Sequence, residues 1–250
     1  KFLWQIIIAI ILFLAGFQID RIGDIIDLGS FSILLTVFWI VGITNSINLI
    51  DGMDGLACGL ILLSCVTLSF IYLERNMVEA SFLAVILTGS VFGFLIFNFP
   101  PAKIILGDTG SLPLGLLISL ITLLPLSQKH TDEIYYLIPI ITLLIPILDT
   151  TFAFFRRLFK GVSPFSKDAQ HLHHRLAKLG FSPLKTIFIL FIVCFYLNLT
   201  ALLPAYNIDL IPNFIPFYFL FVIINIAVLL LLLKRLEKKK QEKYHGNLFE

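Results

Sequence analysis

The chain has 250 residues, of which 58% are hydrophobic, and its mean hydropathy is +0.98. Soluble domains are about 45–50% apolar, so this composition excludes an ordinary soluble domain and makes the bilayer the expected solvent. The formal charge of +2 says little as a total, although its distribution along the chain is informative, and no nucleic-acid partner is expected.

Apolar segments of near-spanning length run over residues 2–18, 32–50, 56–73, 81–98, 112–127, 134–155, 184–204 and 213–233. A span needs about 20 such residues. The expected fold is therefore all-α, a polytopic transmembrane bundle of about eight helices, with the fifth short and the sixth kinked at Pro139 and Pro146. The first run is too long, and lacks the small-residue exit, for a cleaved signal peptide. Because the chain starts at Lys1, a longer parent that extends upstream is expected. Asp20, Arg21, Asp24 and Asp27 read as a solvated turn or short ribbon between the first two spans. Cys58, Cys65 and Cys194 lie in apolar runs with no paired spacing, as buried small hydrophobes do. Residues 1–233 form one transmembrane unit with loops near 51–55, 99–111 and 156–183, and 234–250 is a basic tail.

Alternating these spans through a membrane sorts the charges. One side holds Lys1, Lys103, the cluster from Arg156 to Lys185 and the basic tail from Lys234 to Lys243. The other holds only Arg21, Arg75 and Lys129. The positive-inside rule makes the first side cytoplasmic. The polar strings of the chain fall on that same side, a result the alternation did not presuppose.

The first string is Asn45-Ser-Ile-Asn48-Leu-Ile-Asp51-Gly-Met-Asp54-Gly. Its three-residue spacing puts Asn45, Asn48 and Asp51 on one face of a helix end. A helix cap would need one Asp, and it explains neither the second carboxylate nor the amides, all costly at a membrane boundary. The second string is Asn98-Phe-Pro-Pro-Ala-Lys103 followed by Gly107-Asp108-Thr-Gly-Ser111. A carboxylate between glycines suits a magnesium-bound phosphate, and an aspartic-protease reading fails for want of a second such loop. The third holds Asp149, Arg156, Arg157, Ser163-Pro-Phe165, Asp168 and His171-Leu-His173-His174-Arg175. Zinc would want fixed tetrahedral ligands, and no Cys lies near. Histidine donors beside Arg suit a diphosphate.

The strings NSINLIDGMDGLACG, FNFPPAKIILGDTGSLPLG and RRLFKGVSPFSKDAQHLHHRL together resemble the polyprenyl-phosphate N-acetylhexosamine-1-phosphate transferases. The HLHH form is similar to the WecA/TagO-like branch rather than the more distant phospho-MurNAc-pentapeptide translocases. The resemblance covers essentially the whole chain. It implies ten or eleven spans in a full-length member, and an adjacent Asp pair upstream of the helix that begins near Lys1. It implies transfer of N-acetylhexosamine-1-phosphate, with GlcNAc favoured, from a UDP-sugar to undecaprenyl or another polyprenyl phosphate. UMP is released, in a first membrane step of envelope polysaccharide synthesis. The implied cofactor is magnesium, with manganese as a substitute, held by Asp108. Asp51 and Asp54 would support the metal or activate the acceptor. Asn45, Asn48, Asn98, Lys103, Arg157, His171, His173 and His174 would bind substrate. The implied location is the plasma membrane, with site and C-terminus cytoplasmic, and a homodimer is left open. A flippase would instead carry its ionisable groups at mid-depth, and an inactive scaffold is the other alternative.

Overall fold

The computed structural model describes residues 1–22, 26–127, 134–163 and 170–206, with a few positions between 220 and 235. Most of the eighth apolar segment and of the basic tail, Asp24, Lys129, and Pro164, Phe165 and Asp168 of the third string lie outside the described residues. The rest is helical: α1 (Phe2–Leu14), α2 (Phe31–Ile50), α3 (Leu56–Glu74), α4 (Val78–Asn98), α5 (Gly107–Leu123), α6 (Ile134–Thr142), α7 (Leu144–Phe159), α8 (Leu172–Lys178) and α9 (Pro183–Tyr206). The expected ribbon between the first two helices is a two-stranded antiparallel pair, β1 (Arg21–Ile22) and β2 (Ile26–Asp27).

Helices α2, α3, α4 and α9 are each long and apolar enough to cross a membrane, and α6 with α7 makes a fifth if the bent pair is one span. Helices α1 and α5 are shorter apolar helices. The most extensive packing is α3 on α4 and α2 on α5. The core centres on α3, where Leu56, Leu60, Ile61, Cys65, Leu68 and Ile71 are all at most 1% exposed.

Two boundaries differ from the sequence reading. The Gly107-Asp108-Thr-Gly-Ser111 string is the first turn of α5, so the loop before it ends at Leu106. A carboxylate in a first helical turn is favoured by the helix dipole, which offsets the two glycines. The sixth segment is two helices that meet at Leu143 with a bend of 74°. Pro146 has no N–H to donate to the carbonyl four residues back, and that carbonyl belongs to Thr142. Ser64 Oγ on α3 donates to Thr142 O instead, at 2.7 Å. A neighbouring helix thus meets the demand that the break creates, as a hydrocarbon environment requires.

α2 and α5 come together through small residues and one polar link. Trp39 Nε1 donates to Thr122 Oγ1 at 3.0 Å. A Cβ added to Gly115 would lie 2.8 Å from Thr44 Cα and 3.0 Å from Thr44 O, so the two backbones touch there. Neither helix can yield locally, so Gly115→Ala should destabilise the protein by about 1–3 kcal/mol. Gly93→Ala on α4, where nothing lies within 4 Å, is the control and should not destabilise. Denaturant titration of both variants in detergent checks this. Equal midpoints would mean that the α2–α5 contact is loose.

Candidate functional site

Alternation of the helices brings the N-terminus of α1, the α2–α3 turn, the α4–α5 loop and the start of α8 to one end of the bundle. The contacts between the three polar strings are specific. Asn48 Nδ2, in the last turn of α2, donates to Asp108 Oδ1 and to Ser111 Oγ, both at 2.8 Å. Both amide hydrogens are used, so Asn48 holds the first turn of α5 and aims Asp108. The Gly107 amide favours the charged form of the Asp51 carboxylate, which puts Asp51 near the same helix start. Asp108 Oδ2 pairs with Lys1 Nζ at the beginning of α1. Lys1 was counted in the sequence only as a topological charge.

The α4–α5 loop is braced from both sides. Asn98 is 3% exposed; its Oδ1 accepts from the Gly55 amide and its Nδ2 donates to Ile104 O, each at 2.9 Å. Asp54 Oδ2 accepts from the Ala102 amide at 3.1 Å. Asn98 and Asp54 therefore hold backbone in this structure. Lys103 is exposed on the loop they brace. Asn45 is turned toward α1, where its Nδ2 donates to Gln5 Oε1 at 2.8 Å and to Val41 O at 2.7 Å. Spacing alone grouped Asn45 with Asn48, but one more turn up the helix puts its amide against a different neighbour.

The histidine string closes over the first string. A Cβ on Gly52 would lie 2.5 Å from His173 Nε2, so only glycine lets the ring sit there. His173 is 2% exposed, and neither of its ring nitrogens has a hydrogen-bond partner. Burial, then the neighbouring His174, lowers its pKa to about 4, so at neutral pH it offers one donor and one acceptor. His174 is exposed, with its ring centroid 4.2 Å from that of His173. His171 is buried and its Nδ1 lies 2.8 Å from Asp149 Oδ2. Arg157 is buried on α7, and Arg156 Nη2 donates to Gln170 O at 3.0 Å. The sequence reading placed Asp149 in the third string without giving it a role of its own, and an ionisable residue inside an apolar run was the signal there.

Among the described residues no three Asp, Glu, His or Cys side chains cluster as a closed metal site. Magnesium does not require one, because it is commonly held by one or two carboxylates together with substrate phosphates and water. The donor set fits that mode. Asp108 is half-exposed and already faces a cation, the Lys1 ammonium. Asp51 beside it is partly desolvated, a condition an added cation would relieve.

The fold and these contacts define a multi-pass membrane protein with one polar site gathered at one end of its helices. Residues 1–125, which include the first two strings, match the profile of glycosyl transferase family 4, and the chain belongs to that family. It is 41% identical over 207 residues to the probable undecaprenyl-phosphate N-acetylglucosaminyl 1-phosphate transferase of Bacillus subtilis, covering 81% of this chain and 58% of that protein. It is 33% identical over 217 residues to the decaprenyl-phosphate N-acetylglucosaminephosphotransferase of Mycobacterium leprae, covering 77% and 54%. The phospho-N-acetylmuramoyl-pentapeptide-transferase of Listeria welshimeri is 32% identical over 184 residues, covering 70% and 56%. The chain spans a little over half the length of these relatives.

Burial raises the Asp51 carboxyl from its ordinary 3.8 to about 6; the Gly107 amide opposes the rise and the charge of Asp54 adds to it. Folded protein thus holds this proton to higher pH than unfolded chain. The associated stability is full below 3.8 and is lost as pH rises through about 6. Infrared titration of the carboxyl band that Asp51→Asn removes should give a midpoint near 6, and Asp54→Asn should lower it. A midpoint unchanged by Asp54→Asn would separate the two carboxylates.

Proposed function

We propose that the protein transfers N-acetylglucosamine-1-phosphate from UDP-N-acetylglucosamine to undecaprenyl or a similar polyprenyl phosphate, releasing UMP, at the cytoplasmic face of the plasma membrane. The observation that carries this reading is the meeting of three distant polar strings at one end of an apolar bundle, through Asn48–Asp108, Asp51–Gly107 and Gly52–His173. A lipid acceptor requires a site at the membrane surface, and a charged nucleotide donor requires that surface to be watered. The activities of the Bacillus and Mycobacterium relatives, as their names state them, support the same acceptor class and the same transferred group.

In this reaction an acceptor phosphate oxygen forms a bond to the sugar-bearing phosphorus of the donor, and the bond from that phosphorus to the UMP oxygen breaks. The acceptor has a second pKa of about 6 and is mostly dianionic at neutral pH, so no strong base is needed. Two anions must approach, which makes charge neutralisation and alignment the main task. Asp108 and Asp51 would hold magnesium, which supplies charge to the phosphate oxygens when bound. Lys1 adds positive charge beside Asp108, and Asn48 fixes the aim of Asp108. The unmet donor and acceptor of His173, with His174, His171 and Arg157 around it, would grip the diphosphate or the sugar. Asp54 and Asn98 keep the α4–α5 loop in place, with Lys103 on it to attract the donor phosphates. Asn45 serves the packing of α1.

Asp108→Asn keeps the oxygen that accepts from Asn48 but removes the charge. Transfer of radiolabel from UDP-N-acetylglucosamine into extracted lipid should fall by more than about 100-fold, with unchanged elution in detergent. Near-parental transfer at ordinary magnesium would remove Asp108 from the site. Orientation has its own test, since the three native cysteines are buried. In intact cells a cysteine at Lys103 should resist an impermeant maleimide and one at Arg75 should react. The reverse pattern would put the site on the wrong face for a nucleotide donor.

A further inference from the structure

Helix α7 and the start of α8 are joined by a contact that the transfer reaction, as described, does not use. Asp149 is 2% exposed and both of its carboxylate oxygens are engaged. Oδ2 meets His171 Nδ1 at 2.8 Å, and Oδ1 accepts from the Leu172 amide at 2.7 Å. Leu172 is the first residue of α8, and His171 before it makes no side-chain cap of its own. Asp149 thus satisfies an open amide at the start of α8 from another helix. Seven residues along α7, Arg156 takes Gln170 O at 3.0 Å. The helix therefore grips three consecutive residues, Gln170, His171 and Leu172, at the root of the histidine string.

A neutral acceptor would serve the Leu172 amide equally well. A buried carboxylate is a costly choice, and an apolar or neutral replacement often stabilises as well or better. What the carboxylate alone provides is a charged acceptor at Nδ1. It keeps a proton on that nitrogen and fixes the ring, so Nε2 is the edge left to act. The His171 and His173 rings are parallel to within 4°, with centroids 5.9 Å apart. Fixing the first ring and the start of α8 therefore also fixes how His173 meets Gly52.

We propose that Asp149 is a positioning residue for the transfer reaction: through the Asp149–His171 pair it holds the proton on Nδ1 and locks α8 onto α7, so that the histidine string keeps one attitude toward the donor diphosphate. This rests on the function proposed above. Asp149→Asn is the informative change, because it retains an oxygen for the Leu172 amide while it presents an NH₂ group to His171 and favours the other tautomer.

A double-mutant cycle with His171→Gln tests it. Asp149→Asn should lower kcat/KM for UDP-N-acetylglucosamine by about 10–100-fold in the parent and by less than about 2-fold in the His171→Gln background. Equal losses in the two backgrounds would make Asp149 structural and overturn the proposal. The second readout needs no turnover. Ring-nitrogen shifts of ¹⁵N-histidine-labelled parent, assigned by their loss in His171→Gln, should show a proton on Nδ1 of His171. Protonation on Nε2 alone would also overturn it. A parent that performs no transfer defeats the function proposed above, and the ring-nitrogen spectrum then decides the pairing by itself.

Discussion

Hydrocarbon offers no hydrogen bond to a polar group, and the architecture follows from how this chain meets that constraint. Inside the bundle several polar demands are met by a neighbour across a helix interface. Ser64 supplies Thr142 where Pro146 cannot, Trp39 is answered by Thr122, and Asn45 by Gln5. These groups are spent on packing. The carboxylates, amides and imidazoles of the three strings exceed what pairwise packing can absorb. They are gathered at helix ends, where water and charged ligands can reach them. The position of the site is thus a consequence of the solvent as much as of the chemistry.

Gathering acidic groups creates an electrostatic problem that the protein solves only in part. Asp51 is held between the Gly107 amide, which favours its charge, and burial and Asp54, which oppose it. Asp108 has Asn48 on one oxygen and the Lys1 ammonium on the other. Asp54 is turned aside to the Ala102 amide. The pair left at the start of α5 is short of positive charge, whereas His173 has hydrogen-bonding capacity with nothing to bond. A cation and a phosphate-bearing ligand are complementary to those two deficits.

Most of the helices were legible in the sequence, because apolar run length is read locally. The three strings were legible as candidates for the same reason. Their division of labour was not. Asn45 and Asn48 share a helical face by spacing, yet one turn of rise gives them α1 and α5 as different partners. Asn98 and Asp54 have the residue types of a binding site, but they are consumed by the backbone of Gly55, Ile104 and Ala102. Lys1 acquires its role only when α1 stands against the start of α5. The Gly107–Ser111 string carries turn-forming residues, and its helical state depends on Asn48 pinning it from outside. Each of these contacts involves a partner distant in sequence, which no local pattern encodes.

The break at Leu143 connects the interior of the bundle to the histidine string. Had α6 and α7 formed one straight helix, its polar face would have been fixed by the register of the deep half. The bend of 74° frees α7 to choose its own face. It buries Ile145, Asp149, Ala153 and Arg157, each four residues from the next, and exposes Phe154, Phe155, Leu158 and Phe159. Four-residue spacing keeps the buried set on one stripe, so an acid and a base are carried inward on a helix whose other side is aromatic and apolar. Such a helix can lie against lipid while its inner stripe holds α8 through Asp149. Replacing Pro146 with a residue that restores the N–H would remove the reason for the Ser64 bond to Thr142 O. It would also favour the straight helix, which points Asp149 elsewhere. In this way a proline within the apolar interior bears on the placement of the histidines over Gly52, through α7 and its hold on α8.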